Sequence, residues 1–189
     1  MNIYDPYPDR VIIEDNEIML DLRWDNVLRA IDIMEMDEMS FPDRTEAACA
    51  FLLADPSSDT PRNAEGRVTL LNAIFELFPK GEEHTERVID FHQDASMIRS
   101  AFYRIGIDLL KSRIHFFQFL ELLADLPKDT ALMRTIDIRT RPLPKPNKDN
   151  QEQIAELQRL KQKVAIKMSE EDMRRQFAQS LKNSSVLRG

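Results

Sequence analysis

Apolar residues recur every three or four positions along most of this chain, which is the spacing of one face of an α-helix. After Asp21, which can cap a helix, the apolar positions are Trp24, Val27, Leu28, Ile31 and Met34. Comparable runs predict helices at 42–54, from Thr60 to 78, at 92–105, at 114–123, and after Asp129 or Thr130. Residues 55–59 should break the helical pattern. The run at 114–123 is apolar nearly all round, which predicts the central helix of a bundle.

One segment near the start has the pattern of strands instead. Two short apolar runs, 11–13 and 18–20, flank a polar stretch in which Asp15 and Asn16 tolerate the positive φ angles of a turn. We therefore predict a β-hairpin. Because an isolated hairpin is marginal in water, it needs a helix or a third strand beneath it, and residues 87–91 are a candidate for that strand.

Alternating prolines mark a boundary at Arg141–Pro146, since proline enforces an extended, helix-free linker. The predicted division is a helical body at 1–140, a proline-rich linker at 141–150 and a basic helical extension with a frayed end at 151–189. Only four glycines occur in the chain, which argues against sandwiches, barrels and doubly wound sheets. The predicted fold is mainly α: a helical bundle with a small N-terminal β-hairpin and a C-terminal helical extension.

The extension carries a narrow apolar stripe on an otherwise polar helix. Its members are Ile154, Leu157, Leu160 and Val164, followed by Met168. A stripe this narrow is poorly buried without a neighbour, which can be the body, another copy of the chain or a partner protein. The first four residues are our candidate partner-binding site.

The net charge of −7 conceals an asymmetry. Residues 1–138 contain 14 basic and 27 acidic residues, a balance of −13, whereas residues 139–189 contain 12 basic and 6 acidic residues, a balance of +6. The acidic part repels phosphate backbones, so we do not expect nucleic acid to be its partner. In the basic part, acidic residues are interleaved with the basic ones, and the only aromatic residue is Phe177. This composition favours a solvated face or contact with an acidic protein.

The sequence predicts no catalytic residue, metal site or cofactor, and we expect that the protein is not an enzyme. The histidines, at 84, 92 and 115, lack the helical spacing of a metal pair, and phosphate-binding and nucleophile motifs are absent. Acidic clusters at 32–38 and 82–86 should face water. Cys49 lies in an apolar run, where a buried thiol is expected. The methionines at 19, 34, 36 and 39 favour core packing over an adaptable binding surface.

No segment approaches the roughly 20 apolar residues that span a bilayer. The first residues, from Met1 to Asp5, have neither the basic region nor the apolar core of a signal peptide. We therefore expect a cytoplasmic protein that does not enter membranes.

Several short motifs, taken in order, resemble one known family. They are Val88–Ile98, Ala101–Tyr103, Gly106–Leu109, His115–Phe119, Leu126–Thr130, Ile138-Arg139 and Pro142-x-Pro144-Lys145-Pro146, with Leu20–Arg23 near the start. Together they resemble the bacteriophage gene-fifteen protein family of siphophages and prophages, over most of residues 9–168. Phe116 and Phe117 stand where the family has a tryptophan pair, and the hairpin lacks the family's usual glycine.

The resemblance implies a tail assembly chaperone. Such proteins coat the tape measure protein, are replaced by tail tube subunits and are absent from the finished virion. The expected partners are thus the tape measure protein and, as a second candidate, the tail tube protein, with self-association along the client, in the host cytoplasm. The alternative is a phage-encoded regulatory adaptor that binds a host protein or nucleic acid through the basic C-terminal segment. A permanent tail component is a further possibility.

Overall fold

The computed structural model describes residues 4–78 and 87–167. The fold is mainly α with a small antiparallel N-terminal hairpin, as predicted. Its strands and helices are β1 Arg10–Ile13, β2 Asn16–Met19, α1 Trp24–Glu35, α2 Phe41–Leu52, α3 Pro56–Asp59, α4 Ala64–Glu76, α5 Ala95–Arg104, α6 Phe116–Ala124, α7 Ala131–Thr140 and α8 Gln151–Val164.

The chain forms two compact units, each made of two separate segments. Within the described residues, unit 1 consists of 4–78 and 106–125, and unit 2 consists of 87–105 and 126–167. The predicted division at residues 140 and 150 runs differently, because α7 and α8, on either side of the proline segment, belong to the same unit. Across the proline segment, α8 packs along α7.

The hairpin has a two-residue turn at Glu14 and Asp15, whose φ angles are 49° and 67°. The strand register pairs Ile13 with Asn16, so the predicted turn at Asp15 and Asn16 is wrong by one residue. The expected third strand at 87–91 is not a strand either. Instead, the chain after α2 supports the hairpin through a bridge between Leu20 and Leu53. The inner face of β1 packs against α4.

Helix starts show where capping side chains act and where other contacts replace them. Asn63 caps α4 and Thr130 caps α7, each by accepting a backbone N–H three residues ahead. Asp21 does not cap α1; its carboxylate accepts a bond from Arg23 at 2.9 Å, and the N–H of Trp24 binds the carbonyl of Ile114 at 3.1 Å. The helical pattern breaks after α2 as predicted, with a single helical turn at residues 56–59, but α4 begins at residue 64 rather than at 60.

The core of unit 1 lies between α1, α2, α4 and α6. Fully buried side chains come from each of these helices: Val27, Cys49, Leu52, Leu70, Ile74 and Phe119. Phe119 stacks on Trp24 with 5.3 Å between ring centroids, so α6 contributes to the core from its contact with α1. The prediction that α6 is the central helix is wrong, because α2 is the helix that packs on α1, α3 and α4. Phe116 and Phe117 are also buried, whereas Leu120, which its position also placed in the core, is only half-buried.

Unit 2 is built from α5, α7 and α8, and α7 packs on both of the others. Ile98 and Phe102 of α5 and Leu132 of α7 are buried there. Gly106 follows α5 with a φ of 86°, the left-handed conformation that glycine adopts most readily after a helix.

Candidate protein-binding surfaces

The structure brings the four candidate residues of α8 to one face, and that face covers α7. Leu157 is buried, with 9% of its surface exposed, while Ile154, Leu160 and Val164 are half-buried. Of the three neighbours that the sequence allowed, the stripe therefore packs on the body of its own chain. Met168 and residues 169–189 lie outside the described residues.

A buried ion pair holds α7 within unit 2. The guanidinium of Arg139 binds both carboxylate oxygens of Asp94, at 2.6 and 2.9 Å, and also donates to the carbonyl of Val88 at 2.8 Å. Burial by itself raises the pKa of Asp94, but the hydrogen bonds from Arg139 and from the backbone N–H of Asp90 outweigh it, so the pKa lies below the ordinary value. The carboxylate therefore stays charged, and the pair joins the segment before α5 to α7.

The same arginine also fastens the end of α8. Its Nε donates to the carbonyl of Val164 at 2.6 Å, and Lys161 donates to the carbonyl of Arg139 at 2.6 Å. Gln93 adds a bond to the carbonyl of Ala165 at 2.9 Å. Arg139 and Lys161 form hydrogen bonds within unit 2. Only part of the positive charge of this unit is therefore available to bind a partner.

The corner between α1 and α2 exposes a methionine and an aromatic ring. We call residues 36–41 the methionine corner: Met36 is 42% exposed, Phe41 is 49% exposed and Met39 is half-buried. The sequence favoured core packing for the methionines, which is wrong for Met36 and for Met19, itself 40% exposed. The backbone N–H of Met36 closes α1, so the chain leaves the helix at this residue and presents the side chain outward.

Arg44 organises the methionine corner from beneath. Its Nη1 donates to the carbonyl of Met34 at 3.1 Å and lies 3.9 Å from Asp37, and its guanidinium sits 5.8 Å from the ring centre of Phe41. A cation at this carbonyl also offsets the negative end of the α1 dipole. Sequence reasoning missed Arg44, because Met34 lies on a different helix and Asp37 on the connecting loop.

Negative charge surrounds the methionine corner. Glu35, Asp37 and Glu38 are exposed beside it. The described residues of unit 1 contain 20 acidic and 8 basic side chains, a net −12, whereas those of unit 2 contain 7 acidic and 13 basic side chains, a net +6. The asymmetry seen along the sequence therefore coincides with the two units, and an apolar surface on unit 1 favours a cationic partner.

A groove of about 410 Å³ lies in unit 1 between the hairpin and the start of α4. We call it the hairpin groove. Ile13, Ile18 and Pro61 contribute apolar surface, and Glu14, Glu65 and Thr69 line it as exposed residues. A methyl group on Gly66, another lining residue, would lie 2.7 Å from the capping oxygen of Asn63, so glycine allows the cap and the groove wall to coexist.

Candidate reactive side chains have structural roles where the structure describes them. His115 caps α6 by accepting the N–H of Phe117 at Nδ1, and its ring stacks on Tyr7 at 4.9 Å. Cys49 is fully buried, and burial raises the pKa of its thiol to about 11, as suits a packing residue. His92 is exposed, whereas His84 and the acidic cluster at 82–86 lie outside the described residues.

In residues 4–78 and 87–167, no three His, Cys, Asp or Glu side chains are grouped so that they could hold a metal ion. Over the same ranges, none of the helices has the length and apolar character that crossing a bilayer requires.

Comparison with known proteins gives one family. Neither the curated proteins nor the solved structures gave a significant match. A family model described as Bacteriophage Gp15 protein matches residues 3–166, which include every element from β1 to α8. The chain therefore belongs to the bacteriophage Gp15 protein family.

Proposed function

We propose that this protein is a non-enzymatic tail assembly chaperone that binds the tape measure protein of its phage. In this proposal it acts in the host cytoplasm, gives way to tail tube subunits and is absent from the mature virion. Family membership supports a phage role, and the methionine corner is the observation that carries protein binding. It is an exposed apolar surface beside three exposed carboxylates on an acidic unit.

The chemistry of the corner suits an elongated helical client. An amphipathic helix that lacks a partner exposes an apolar face and aggregates, and a chaperone must cover that face without demanding one side-chain shape. Methionine is flexible and polarisable, so Met36 and Met39 can adapt to varied helix faces, while Phe41 supplies a large rigid contact. The carboxylates favour clients with lysine or arginine beside the apolar face.

We assign client binding to the methionine corner rather than to the stripe on α8. Leu157 of the stripe is buried against unit 2, and its three neighbours are half-buried. Binding a client there would require α8 to leave α7, and hence would break the bond between Arg139 and Val164. A client can bind at the methionine corner without any such rearrangement.

Co-expression with the tape measure protein tests the function. We expect a soluble complex with the wild-type chain and at least about a tenfold lower recovery with the double variant Met36→Ser and Phe41→Ser, because both apolar contacts are lost. Tyr103→Ser, at a residue that is 72% exposed on unit 2, is the matched control and should bind normally. Thermal melts of all three proteins should agree within a few degrees.

Two outcomes separate the function from the surface. If the tape measure protein stays insoluble at matched expression and no complex is recovered, the chaperone function is wrong. If the complex forms equally well with the double variant, the function stands and the methionine corner is not the client surface. Mass spectrometry of purified virions distinguishes a chaperone from a permanent tail component, which would be present in every particle.

The positive charge of unit 2 favours a second candidate function. A regulatory adaptor would use exposed cations such as Lys145 and Lys148 to bind a host protein or nucleic acid. Binding to DNA through such cations would weaken steeply with salt. A DNA affinity that falls steeply between about 50 and 200 mM salt, and is lost in Lys145→Glu with Lys148→Glu, would support this function over the chaperone.

A further inference from the structure

The hairpin groove and the proline segment each expose apolar surface and carry opposite charges. We define the proline segment as residues 141–148, which are exposed along their whole length and contain no helix or strand. We propose that the proline segment of one copy binds in the hairpin groove of a second copy, with Leu143 as the apolar anchor. This contact goes beyond client binding and does not depend on it.

Leu143 has the features of an anchor. It is 45% exposed between Pro142 and Pro144, so a large apolar surface is open to a partner. Alternating prolines hold the backbone near the extended polyproline conformation, and so little conformational entropy is lost when such a segment docks. A preformed ligand of this kind can bind through a small contact area.

The groove offers a matching receptor. Its volume of about 410 Å³ falls within the range of roughly 300–1,000 Å³ typical of ligand pockets, and is ample for a leucine and an adjoining proline ring. Ile13, Ile18 and Pro61 provide apolar surface for them. Two exposed carboxylates, those of Glu14 and Glu65, line the same groove.

Opposite charges favour the proline segment of a second copy as the ligand of the hairpin groove. The proline segment carries Arg141, Lys145 and Lys148 and no acidic residue, and Arg141 is already paired with Asp137. The two lysines can therefore face Glu14 and Glu65 when Leu143 is seated. The wider surfaces agree, since the segment belongs to the unit with a net +6 and the groove to the unit with a net −12.

The contact is head-to-tail because the ligand and the receptor lie on different units. Each copy that donates its proline segment keeps an empty groove, and each copy that accepts one keeps a free segment. Contacts of this type grow into open chains unless a rotation closes them into a ring. Copies joined in this way can extend along an elongated surface.

Peptide binding tests the receptor. The probe is a fluorescent peptide of residues 138–150, and the receptor is the full chain with Leu143→Asp, whose groove has no competing anchor. We expect binding that weakens with added salt. Affinity should fall at least about tenfold when the peptide carries Leu143→Asp or the receptor carries Thr69→Phe, which fills the groove. Asn72→Phe, at an exposed site of α4 outside the groove lining, should leave affinity unchanged.

Mixing two full-length variants tests the head-to-tail arrangement. Analytical ultracentrifugation should show concentration-dependent oligomers for the wild type and monomers for Thr69→Phe and Leu143→Asp separately. An equal mixture of the two variants should form dimers and nothing larger, because it contains one intact groove and one intact segment per pair. Three outcomes would overturn the proposal. The wild type stays monomeric at every concentration, the mixture stays monomeric, or the peptide binds equally well to the Thr69→Phe receptor.

Discussion

His115 shows how one side chain joins two parts of unit 1. Its Nδ1 accepts the N–H of Phe117 at 3.1 Å, so Nε2 must carry the proton that is shared with the carbonyl of Pro8 at 3.0 Å. The neutral ring thereby caps α6 and holds the segment before β1. Protonation of Nδ1 would remove the cap. Burial lowers the pKa of His115, against the opposing effects of the Pro8 carbonyl and the charge of Asp9.

The lowered pKa of His115 predicts that the folded protein becomes less stable as the pH is lowered. The unfolded state binds a proton on His115 at a higher pH than the folded state does, so the free energy of unfolding is highest above the unfolded pKa near 6.5 and decreases as the pH drops from about 7.5 to 5. His115→Asn keeps a capping acceptor without a titrating ring, and should flatten this dependence. Urea titrations at several pH values measure the effect.

The control for this prediction is His92→Asn, which changes an exposed histidine in unit 2. This variant should retain the wild-type pH dependence. An equally steep dependence in His115→Asn would show that other groups are responsible.

Phe119 gives a second prediction at the scale of the residue. Its ring is fully buried and lies between Trp24 and Phe116. Phe119→Ala should cost about 3–5 kcal/mol of unfolding free energy, since a large cavity replaces the ring. Tyr103→Ala, at a mostly exposed aromatic residue, should change stability by less than about 0.5 kcal/mol. Denaturant melts that show a loss below 1 kcal/mol for Phe119→Ala would contradict this packing.

Among the elements, the stability of α7 depends on contacts with α8, although the proline pattern between them predicts a linker. The stripe of α8 covers α7, and Arg139 and Lys161 exchange bonds across the two helices. Removal of residues 141–189 would uncover apolar surface on α7 and leave two bonding groups of Arg139 without their partners. The ion pair with Asp94 would remain as the principal tie of α7 to the segment before α5.

We therefore predict local unfolding in a chain that ends at residue 140. Hydrogen exchange of the α7 amides should accelerate at least about tenfold, whereas the amides of α1, α2 and α4 in unit 1 should keep their protection. A chain that ends at residue 167 retains α8 and is the control. Unchanged exchange in α7 would show that α8 contributes little to unit 2.

At the scale of the whole molecule, each unit is assembled from two separate parts of the chain. Residues 4–78 of unit 1 lack α6, which supplies Phe119 to the core and whose first backbone N–H, at Phe116, binds the carbonyl of Leu22 at 2.8 Å. The first segment cannot complete its core alone.

This organisation predicts the behaviour of fragments. Residues 1–85 alone should fail to unfold cooperatively, because the α6 site would be empty. The same residues joined to 106–125 through a flexible linker of about ten glycine and serine residues should fold and melt cooperatively. Circular dichroism melts of both fragments test the prediction. A linked fragment without a transition would show that unit 1 needs unit 2 in order to fold.

Local patterns in the sequence were sufficient for most of the elements. Helical spacing identified the α6 and α8 segments, and two short apolar runs on either side of a polar turn identified the hairpin, because these signals depend on neighbours within a few positions. Helix starts were less accurate where a distant group replaced a cap. The N–H of Trp24 binds Ile114, ninety residues later in the chain, so the capping role assigned to Asp21 was wrong.

For the candidate binding site too, the sequence identified some features and the tertiary structure alone showed others. The sequence identified the stripe of Ile154, Leu157, Leu160 and Val164, because periodicity alone places these residues on one face. Only the tertiary structure showed that α7 occupies that face, while Met36 and Phe41 remain exposed. The reason is physical: periodicity states which residues share a face, whereas exposure depends on which other helix covers it.

By itself, the sequence determined the mainly helical class, the hairpin, the extended proline segment and the opposite charges of the chain's two parts. The tertiary structure decided how these parts combine. Asp94 and Arg139 pair across 45 residues, and the hairpin groove is formed by Ile13 and Ile18 with residues near Gly66. Long-range pairs and grooves depend on the packing of separate segments, and no local pattern of apolar and polar positions specifies that packing.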